Sequence, residues 1–489
     1  MPASLDDRVA VESRHRSGPV AARRPAAWWV AAAATCAAGV LYFLYIGRQS
    51  FWEDEGASWF FTHGGLGGLA HAAWRNDPNM SLYYALLYLW LHAGLGDSEA
   101  AMRVLPAIFA LLTVPLIYLL GSRLFGPWPG AVAAVLFASN SFIVEYAQQA
   151  RSYTLVMFLV TLSSYLFVIE LERPSRLSRV GYVLASALAI YAQFFAAWVL
   201  IAQAVTLVAM RGRGAIQHRW KFNFGLILIL CIPAAGQILR FRHGTIAWVP
   251  QPTLSRFGSS LDLLAGGSWM LLVLALAAAA YAGLHAIRSG RNRWQTAFVL
   301  IWFLLPVVLV FMLSYVTPLL VPRYLIVVVP ALALAAGAGI GALASDRRFG
   351  VLAVAGVAGV LALSGVQLYR WYTLPQKEDW RAATRYVLHE QRAGDRIVFE
   401  VGGAMRPFAY YAHRDGEAGP QRLDTTATAL AAPSGRIWFV RLHVSSDDPR
   451  ITTLAHRLVL SGYKLRRSRE FPAPRARFAV SLYARRPAP

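Results

Sequence analysis

The 489-residue sequence is poor in the groups on which most soluble folds and metal centres are built. It holds two cysteines, Cys36 and Cys231, each inside an apolar run and far from the other, which excludes a disulfide framework and a thiolate metal site and leaves both as packing residues. Charged residues make up only 15% of the chain against 57% apolar and aromatic ones, too few to solvate a globule of this size. No internal repeat is visible, nor a matched pair of Gly- or Pro-broken apolar segments in the two halves, and this counts against a secondary transporter. Acidic residues are scarce as well: 25 against 47 Lys plus Arg, a net charge of +22.

That excess of basic residues suggests nucleic acid at first, but its placement argues against such a partner. Arg173, Arg176 and Arg179 lie between two apolar runs, as do Arg211, Arg213, Arg219 and Lys221, then Arg288, Arg291 and Arg293, then Arg347 and Arg348. This is the pattern of cytoplasmic loops in a polytopic membrane protein. Apolar runs are expected to span near 27–46, 101–120, 130–145, 152–171, 180–192, 194–210, 222–240, 266–287, 295–316, 323–344 and 349–369, about eleven crossings. The stretch 180–210 is short for two spans, and flanking basic clusters on one side require the chain to go out and return, breaking near Gln193. Arg8, Arg14, Arg16, Arg23 and Arg24 precede a first run, Ala27 to Ile46, too long for a cleaved signal and without a clear cleavage site, so it is expected to remain as a span.

An odd number of crossings from a cytoplasmic N-terminus puts two larger pieces outside: the loop 47–101 and the tail from about 371. The expected domains are a basic cytoplasmic segment 1–26, a transmembrane region 27–370 and an extracytoplasmic α/β domain 371–489. In the tail, Lys377 to Gln391 has helical spacing with Trp380, Ala383 and Val387 on one face, while Arg396 to Val401 and Arg436 to Val444 read as strands. The tail carries 20 Lys plus Arg against 11 Asp plus Glu, suited to anionic headgroups or glycan.

Four places carry groups that point to chemistry. Directly after the first span, Phe51-Trp52-Glu53-Asp54-Glu55-Gly56 sets three carboxylates beside two aromatic rings; a carboxylate held there can act as a general base, or the stretch is a solvated turn beside a Trp anchor. Further along, Asn76-Asp77-Pro78-Asn79-Met80-Ser81-Leu82-Tyr83-Tyr84 leads into Ala85 to Leu95, too short to span and expected to lie at the interface as a substrate platform or a packing helix. The second outward turn, Glu145-Tyr146-Ala147-Gln148-Gln149-Ala150-Arg151-Ser152-Tyr153, places an arginine where it needs an anion: a phosphate, or a carboxylate such as Glu145 or Asp54. Pro322-Arg323-Tyr324 puts another arginine at the end of an apolar helix, where snorkelling is the plain alternative. The loop from Phe241 to Gly267, with His243, Trp248 and Arg256, is placed to cover a cavity.

The order of these features resembles the GT-C membrane glycosyltransferases, specifically the group of protein O-mannosyltransferases and lipid A aminoarabinose transferases (glycosyltransferase family 39-like). The likeness covers nearly the whole chain: Asp54-Glu55 after the first span, Leu82-Tyr83-Tyr84, Arg151-Ser152-Tyr153, Arg323-Tyr324, and Glu378 to Ala383 opening the tail. It implies an all-α polytopic membrane fold of GT-C type with a small C-terminal α/β extracytoplasmic domain. It implies a hexosyl- or pentosyltransferase using a polyprenyl-phosphate sugar, acting on a glycan, lipid or protein acceptor at the outer face of a cell (plasma or inner) membrane, among membrane lipids and with no nucleic acid. Asp54 would be the base, Glu55 its close partner, and Arg151 and Arg323 would lie near the carrier phosphate, with Tyr153, Tyr324, Asn79, Tyr83, Tyr84 and Glu145 completing the substrate contacts. Two positions depart from the group: Gln149 stands where many members have glutamate, and Asn79 where they have His or Lys, so a second acid, if required, would be Glu145 or Asp77. The expected mechanism is a single inverting displacement dominated by electrostatic stabilisation. A divalent cation is compatible with acids meeting a phosphate, but the chain has no His or Cys ligand spacing, so no metal and no cofactor is assigned. The rival readings are a transporter or flippase for lipid-linked sugars, which would tolerate loss of the Asp54 charge, and an assembly protein whose tail recruits a partner.

Overall fold

The computed structural model describes residues 24–72, 74, 77–210, 214–240, 249–346, 348–400, 402–416, 421–423, 435–442, 456–474 and 477–485. The basic segment 1–23, Arg211, Arg213, Arg347, His243, Trp248, Val401 and Val444 lie outside them. Over the described residues the chain forms two compact units. One comprises Met1–Tyr42, Ile108–Val144 and Tyr153–Gln367, and the other Phe43–Ala107, Glu145–Ser152 and Leu368–Pro489. The chain is a multi-pass membrane protein, since no soluble core accommodates this number of long apolar helices.

In chain order the helices are α1 (Arg24–Phe43), α2 (Glu53–His63), α3 (Gly65–His71), α4 (Ser81–His92), α5 (Glu99–Phe125), α6 (Pro127–Ala138), α7 (Ser141–Ala147), α8 (Tyr153–Glu172), α9 (Arg176–Ala192) and α10 (Ala197–Ala209). They continue with α11 (Gly214–Leu230), α12 (Ile232–Arg240), α13 (Leu254–Leu264), α14 (Trp269–Ser289), α15 (Arg293–Leu313), α16 (Val329–Ser345), α17 (Gly350–Thr373), α18 (Trp380–Glu390) and α19 (Met405–Arg414). Among the described residues seven helices are long and apolar enough to cross a bilayer, or nine if the bent pairs α6–α7 and α11–α12 each count as one. The two further runs in the expected count of about eleven, 180–192 and 194–210, are helical but shorter, α9 and α10, and the chain breaks between them at the extended Gln193.

Within the helical unit, close packing is set by small residues and by polar pairs satisfied between helices. A Cβ on Gly339 would fall 1.8 Å from the Ala278 carbonyl oxygen, so α16 and α14 approach as they do only because that position is glycine. Tyr182 donates to Gln203 (2.8 Å) and Ser163 pairs with Ser186 (2.8 Å), joining α8, α9 and α10. Glu170, fully buried, faces Arg179 and Arg219 at 3.6 Å each and accepts from the Ser178 hydroxyl at 2.5 Å. Two arginines read from the sequence as plain loop charges are therefore partners of a buried acid.

The second unit carries a five-stranded sheet of β1 (Arg396–Phe399), β2 (Gln421–Leu423), β3 (Arg436–Leu442), β4 (Tyr463–Phe471) and β5 (Phe478–Arg485), in the order β2-β1-β3-β5-β4. β1 runs parallel to β2 and β3, whereas β5 is antiparallel to both its neighbours. Val398, Ile437, Phe439, Leu458, Tyr463 and Tyr483 form its core. The edge strand β4 exposes Lys464, Arg466, Arg467 and Arg469, charges that discourage pairing with another chain. α18 buries Trp380, Ala383 and Val387 on one face, as the spacing predicts, and Asp379 caps it by accepting from the Ala382 amide at 3.0 Å. Trp380 packs on Phe478 with ring centroids 4.5 Å apart.

Candidate active site

The three carboxylates after the first span do not form a solvated turn; they open α2, where the helix dipole favours negative charge. They differ sharply in environment. Glu55 is fully buried, and its oxygens accept from Arg103 Nε at 2.7 Å and Nη2 at 2.8 Å, from Lys377 Nζ at 2.8 Å and from the Ala150 amide at 3.0 Å. Arg103 also donates to the carbonyls of Ile46, Gln49 and Ser50. Burial alone would raise the Glu55 pKa, but Arg103 and then Lys377 outweigh it and hold the carboxyl at about 2. Lys377 is lowered to about 8 by burial and by Arg103, with Glu55 opposing. Four separate segments meet at this knot: the first loop, α5, the turn 148–152 and the approach to α18.

Glu53 behaves in the opposite way. Burial, then Asp54 and Glu378, push its carboxyl up to about 8 against the pull of Arg406, so near neutral pH it largely keeps its proton. Its Oε1 lies so close to Gly403 that a Cβ there would sit 2.9 Å away. Asp54, between these two, is half-buried, and its carbonyl accepts from Arg151 Nη1 at 3.2 Å.

Arg151 is 5% exposed. Its Nη1 donates to the Tyr84 hydroxyl at 2.9 Å and its Nη2 to Asp77 Oδ2 at 3.1 Å, while Tyr84 donates to the same Asp77 oxygen at 2.6 Å. The anion the sequence demands for Arg151 is thus met by Asp77, whose side chain remains 27% exposed. α4 presents Tyr83 and Tyr84 inward together with Leu87. Burial raises both phenol pKa values, which keeps them neutral donors. The Tyr83 hydroxyl makes no hydrogen bond among the described residues, an orphan of the kind a ligand satisfies. Glu145 accepts from Gln149 at 3.3 Å and acts electrostatically on Lys377. Asn79 sits half-buried in the 3-10 turn Pro78–Met80, two residues past Asp77.

The unit therefore brings together Asp54, Glu55, Asn79, Tyr83, Tyr84, Glu145 and Arg151. Tyr153, Arg323 and Tyr324 belong to the helical unit. There Tyr153 is buried at the start of α8, Arg323 lies 5.8 Å over the Tyr324 ring, and Tyr324 stacks on Phe195 at 4.7 Å. Sequence reasoning missed Arg103, Lys377 and Glu99. Glu99 gathers Arg381 (2.7 Å), Arg414 (3.1 Å) and Tyr411 (3.0 Å). Arg103 carried a usable signal, a charge near the start of an apolar helix; Lys377 carried none. As to a metal, among the described residues no three carboxylate, imidazole or thiol donors converge around Asp54, and Glu55 and Asp77 already face cations.

Comparison with known proteins follows the same lines. A family model described as dolichyl-phosphate-mannose-protein mannosyltransferase matches residues 79–235, about a third of the chain. A search among curated proteins finds no match in sequence. Among solved structures, apo ArnT from Cupriavidus metallidurans is similar with a TM-score of 0.60 at 14% identity, over 94% of this chain and 98% of that one. Its complex with undecaprenyl phosphate gives 0.57 at 15%, over 93% and 98%. The oligosaccharyltransferase of Archaeoglobus fulgidus, in complex with Zn and sulfate, gives 0.52 at 12%, over 92% of this chain and 72% of that one. The chain has the GT-C fold of these membrane glycosyltransferases.

Proposed function

We propose that the protein is a membrane glycosyltransferase that moves a sugar from a polyprenyl-phosphate carrier to an acceptor hydroxyl at the extracytoplasmic face of the cell membrane. The observation that carries this reading is the Arg151 guanidinium, held by Tyr84 and Asp77 and donating to the backbone of Asp54. A fixed cation stands next to an acid in the outer loop, as a phosphate leaving group and an acceptor hydroxyl require.

In the proposed step, the acceptor oxygen attacks the anomeric carbon as the bond to the phosphate oxygen breaks, with inversion. Asp54 takes the hydroxyl proton, and the polyprenyl phosphate departs with its charge offset by Arg151. Tyr83, with its hydroxyl unpartnered among the described residues, donates to the substrate, and Asn79, four positions before it, is proposed to contact the substrate as well. Glu55 acts as the anchor that fixes the start of α2 rather than as a second acid, because both its oxygens are already taken by donors. Glu145 tunes Lys377. In the helical unit, Tyr153, Arg323 and Tyr324 are proposed to contact the carrier. Residues 1–26 are proposed to be cytoplasmic, 27–370 to form the transmembrane region with its extracytoplasmic first loop 47–101, and 371–489 to form an extracytoplasmic domain. The ArnT and Archaeoglobus relatives solved with undecaprenyl phosphate and with dolichol-phosphate support a lipid-linked donor.

The test is transfer from radiolabelled polyprenyl-phosphate sugars to membrane acceptors by the wild type and by Asp54→Asn expressed at equal level. A loss of about 10²- to 10⁴-fold in the variant is expected. Equal transfer by both removes Asp54 as base, and translocation of the carrier without transfer replaces the enzyme by a flippase.

A further inference from the structure

The C-terminal end of α2, remote from its acidic start, carries a second group of side chains that the transfer reaction does not use. His63 ends α2, His413 lies in the last turn of α19, and Asp97 sits in the turn just before α5. One ligand-capable atom from each lies within 4.8 Å of the other two. The imidazole rings are 4.7 Å apart, and Trp59 stacks on His63 at 4.7 Å and flanks His413 at 5.4 Å.

The backbone beneath these side chains is fixed. A Cβ on Gly56 would fall 2.5 Å from the Pro407 nitrogen, so α2 and α19 are in direct contact. The Tyr410 hydroxyl donates to the Asp97 carbonyl at 3.1 Å, tying the turn to α19. Both histidines also stand at helix C-termini, where the helix dipole favours a cation.

We propose that His63, Asp97 and His413 form a divalent-cation site for zinc or a metal of similar preference, clipping the outer loop to the C-terminal segment. Two neutral imidazoles and one carboxylate are a zinc donor set, and three protein ligands leave a fourth position for water. Zinc bonds of about 2.0–2.1 Å place tetrahedral ligands roughly 3.4 Å apart, so closure takes about an ångström of rotation, which two exposed rings permit. The site is distinct from Asp54: nine helical positions along α2 separate them, about 13 Å at the α-helical rise. It stands whether or not the transfer reading does, because its readout is binding.

The experiment is calorimetric titration of zinc alone into the full chain in detergent, stripped of metal beforehand, at neutral pH. Wild type, the double variant His63→Gln with His413→Gln, and Asp54→Asn are compared, with circular dichroism and thermal melting confirming that each is folded. One zinc per chain is expected in the wild type and in Asp54→Asn, with affinity at least about tenfold weaker in the double variant and a zinc-induced rise in melting temperature confined to the two that bind. Equal binding by wild type and double variant overturns the site, as does absence of binding in the wild type. Loss of zinc in Asp54→Asn with retention in the double variant moves the metal to the acidic end of α2 and overturns it equally.

Discussion

Two arginine–carboxylate pairs lie in the same unit and could hardly be more different. Glu55 and Arg103 are 0% and 1% exposed, bidentate, and joined by Lys377, with every polar atom of the carboxylate spoken for. Asp77 and Arg151 share a single contact, 3.1 Å long, and the carboxylate remains 27% exposed. The first is closed to any ligand and can only hold structure. The second is a cation whose present partner faces solvent and can be exchanged, which is what a phosphate-binding arginine needs. Within one helix start, neighbouring acids thus divide the work, Glu55 anchoring and Asp54 left beside the exchangeable arginine.

Removing Glu55 should separate the two pairs most strongly. Glu55→Gln leaves Arg103 and Lys377 buried without their anion, so a destabilisation of about 3–5 kcal/mol is expected, seen as a lower thermal melting temperature in detergent. Adding Lys377→Met should recover part of it, and an unchanged melting temperature in Glu55→Gln would remove the anchor role. Arg151→Ala should act on the other axis, lowering transfer about 10- to 100-fold, the worth of a charged hydrogen bond of roughly 1.5–3 kcal/mol, with a smaller effect on melting than Glu55→Gln. Arg151→Lys should not restore it, because an ammonium cannot hold Tyr84, Asp77 and a phosphate in one plane. If Arg151→Ala melts early and turns over normally, the contrast between the pairs fails.

The smallest expected effect concerns pH. Folded Glu53 holds its proton up to about 8, whereas the unfolded chain releases it near 4.5. The native state therefore binds more protons between these values, and this group's contribution to stability falls as pH rises from about 4.5 to 8. Glu55 works the other way: its stabilisation is present above about 4.5 and is lost as pH falls toward 2. Glu53→Gln should flatten the wild-type decline in melting temperature between mildly acidic and mildly alkaline buffer, and a parallel decline in both proteins would reassign it to other groups.

Much of the architecture was legible because a bilayer imposes a length and a polarity on whatever crosses it. All eleven apolar runs fall on helices or bent helix pairs, and the interruption at Gln193 follows from basic residues on both flanks. The short helix α4 with its two buried tyrosines and α18 with its apolar face were equally plain. β4 and β5 were not anticipated: β4 is almost all polar because it is an edge, and β5 is a short apolar run that periodicity cannot tell from other buried segments. At the site, the residue types were readable but their pairing was not. Nothing in spacing says that Arg151 meets the Asp77 carboxylate as well as the Asp54 backbone, or that Lys377 returns from the far end of the chain to Glu55, since such contacts are set by how helices pack.

That last contact also sets a clock. Lys377 lies 322 positions after Glu55, so at a synthesis rate of about 5–20 residues per second, roughly 15–60 s separate the two on the ribosome. For that interval Glu55 and Arg103 wait without their third partner while the intervening spans enter the membrane. A chain truncated before Lys377 would insert its helices and still never close the start of α2, which makes emergence of the first residues of the tail the moment at which the acidic end of the site takes shape.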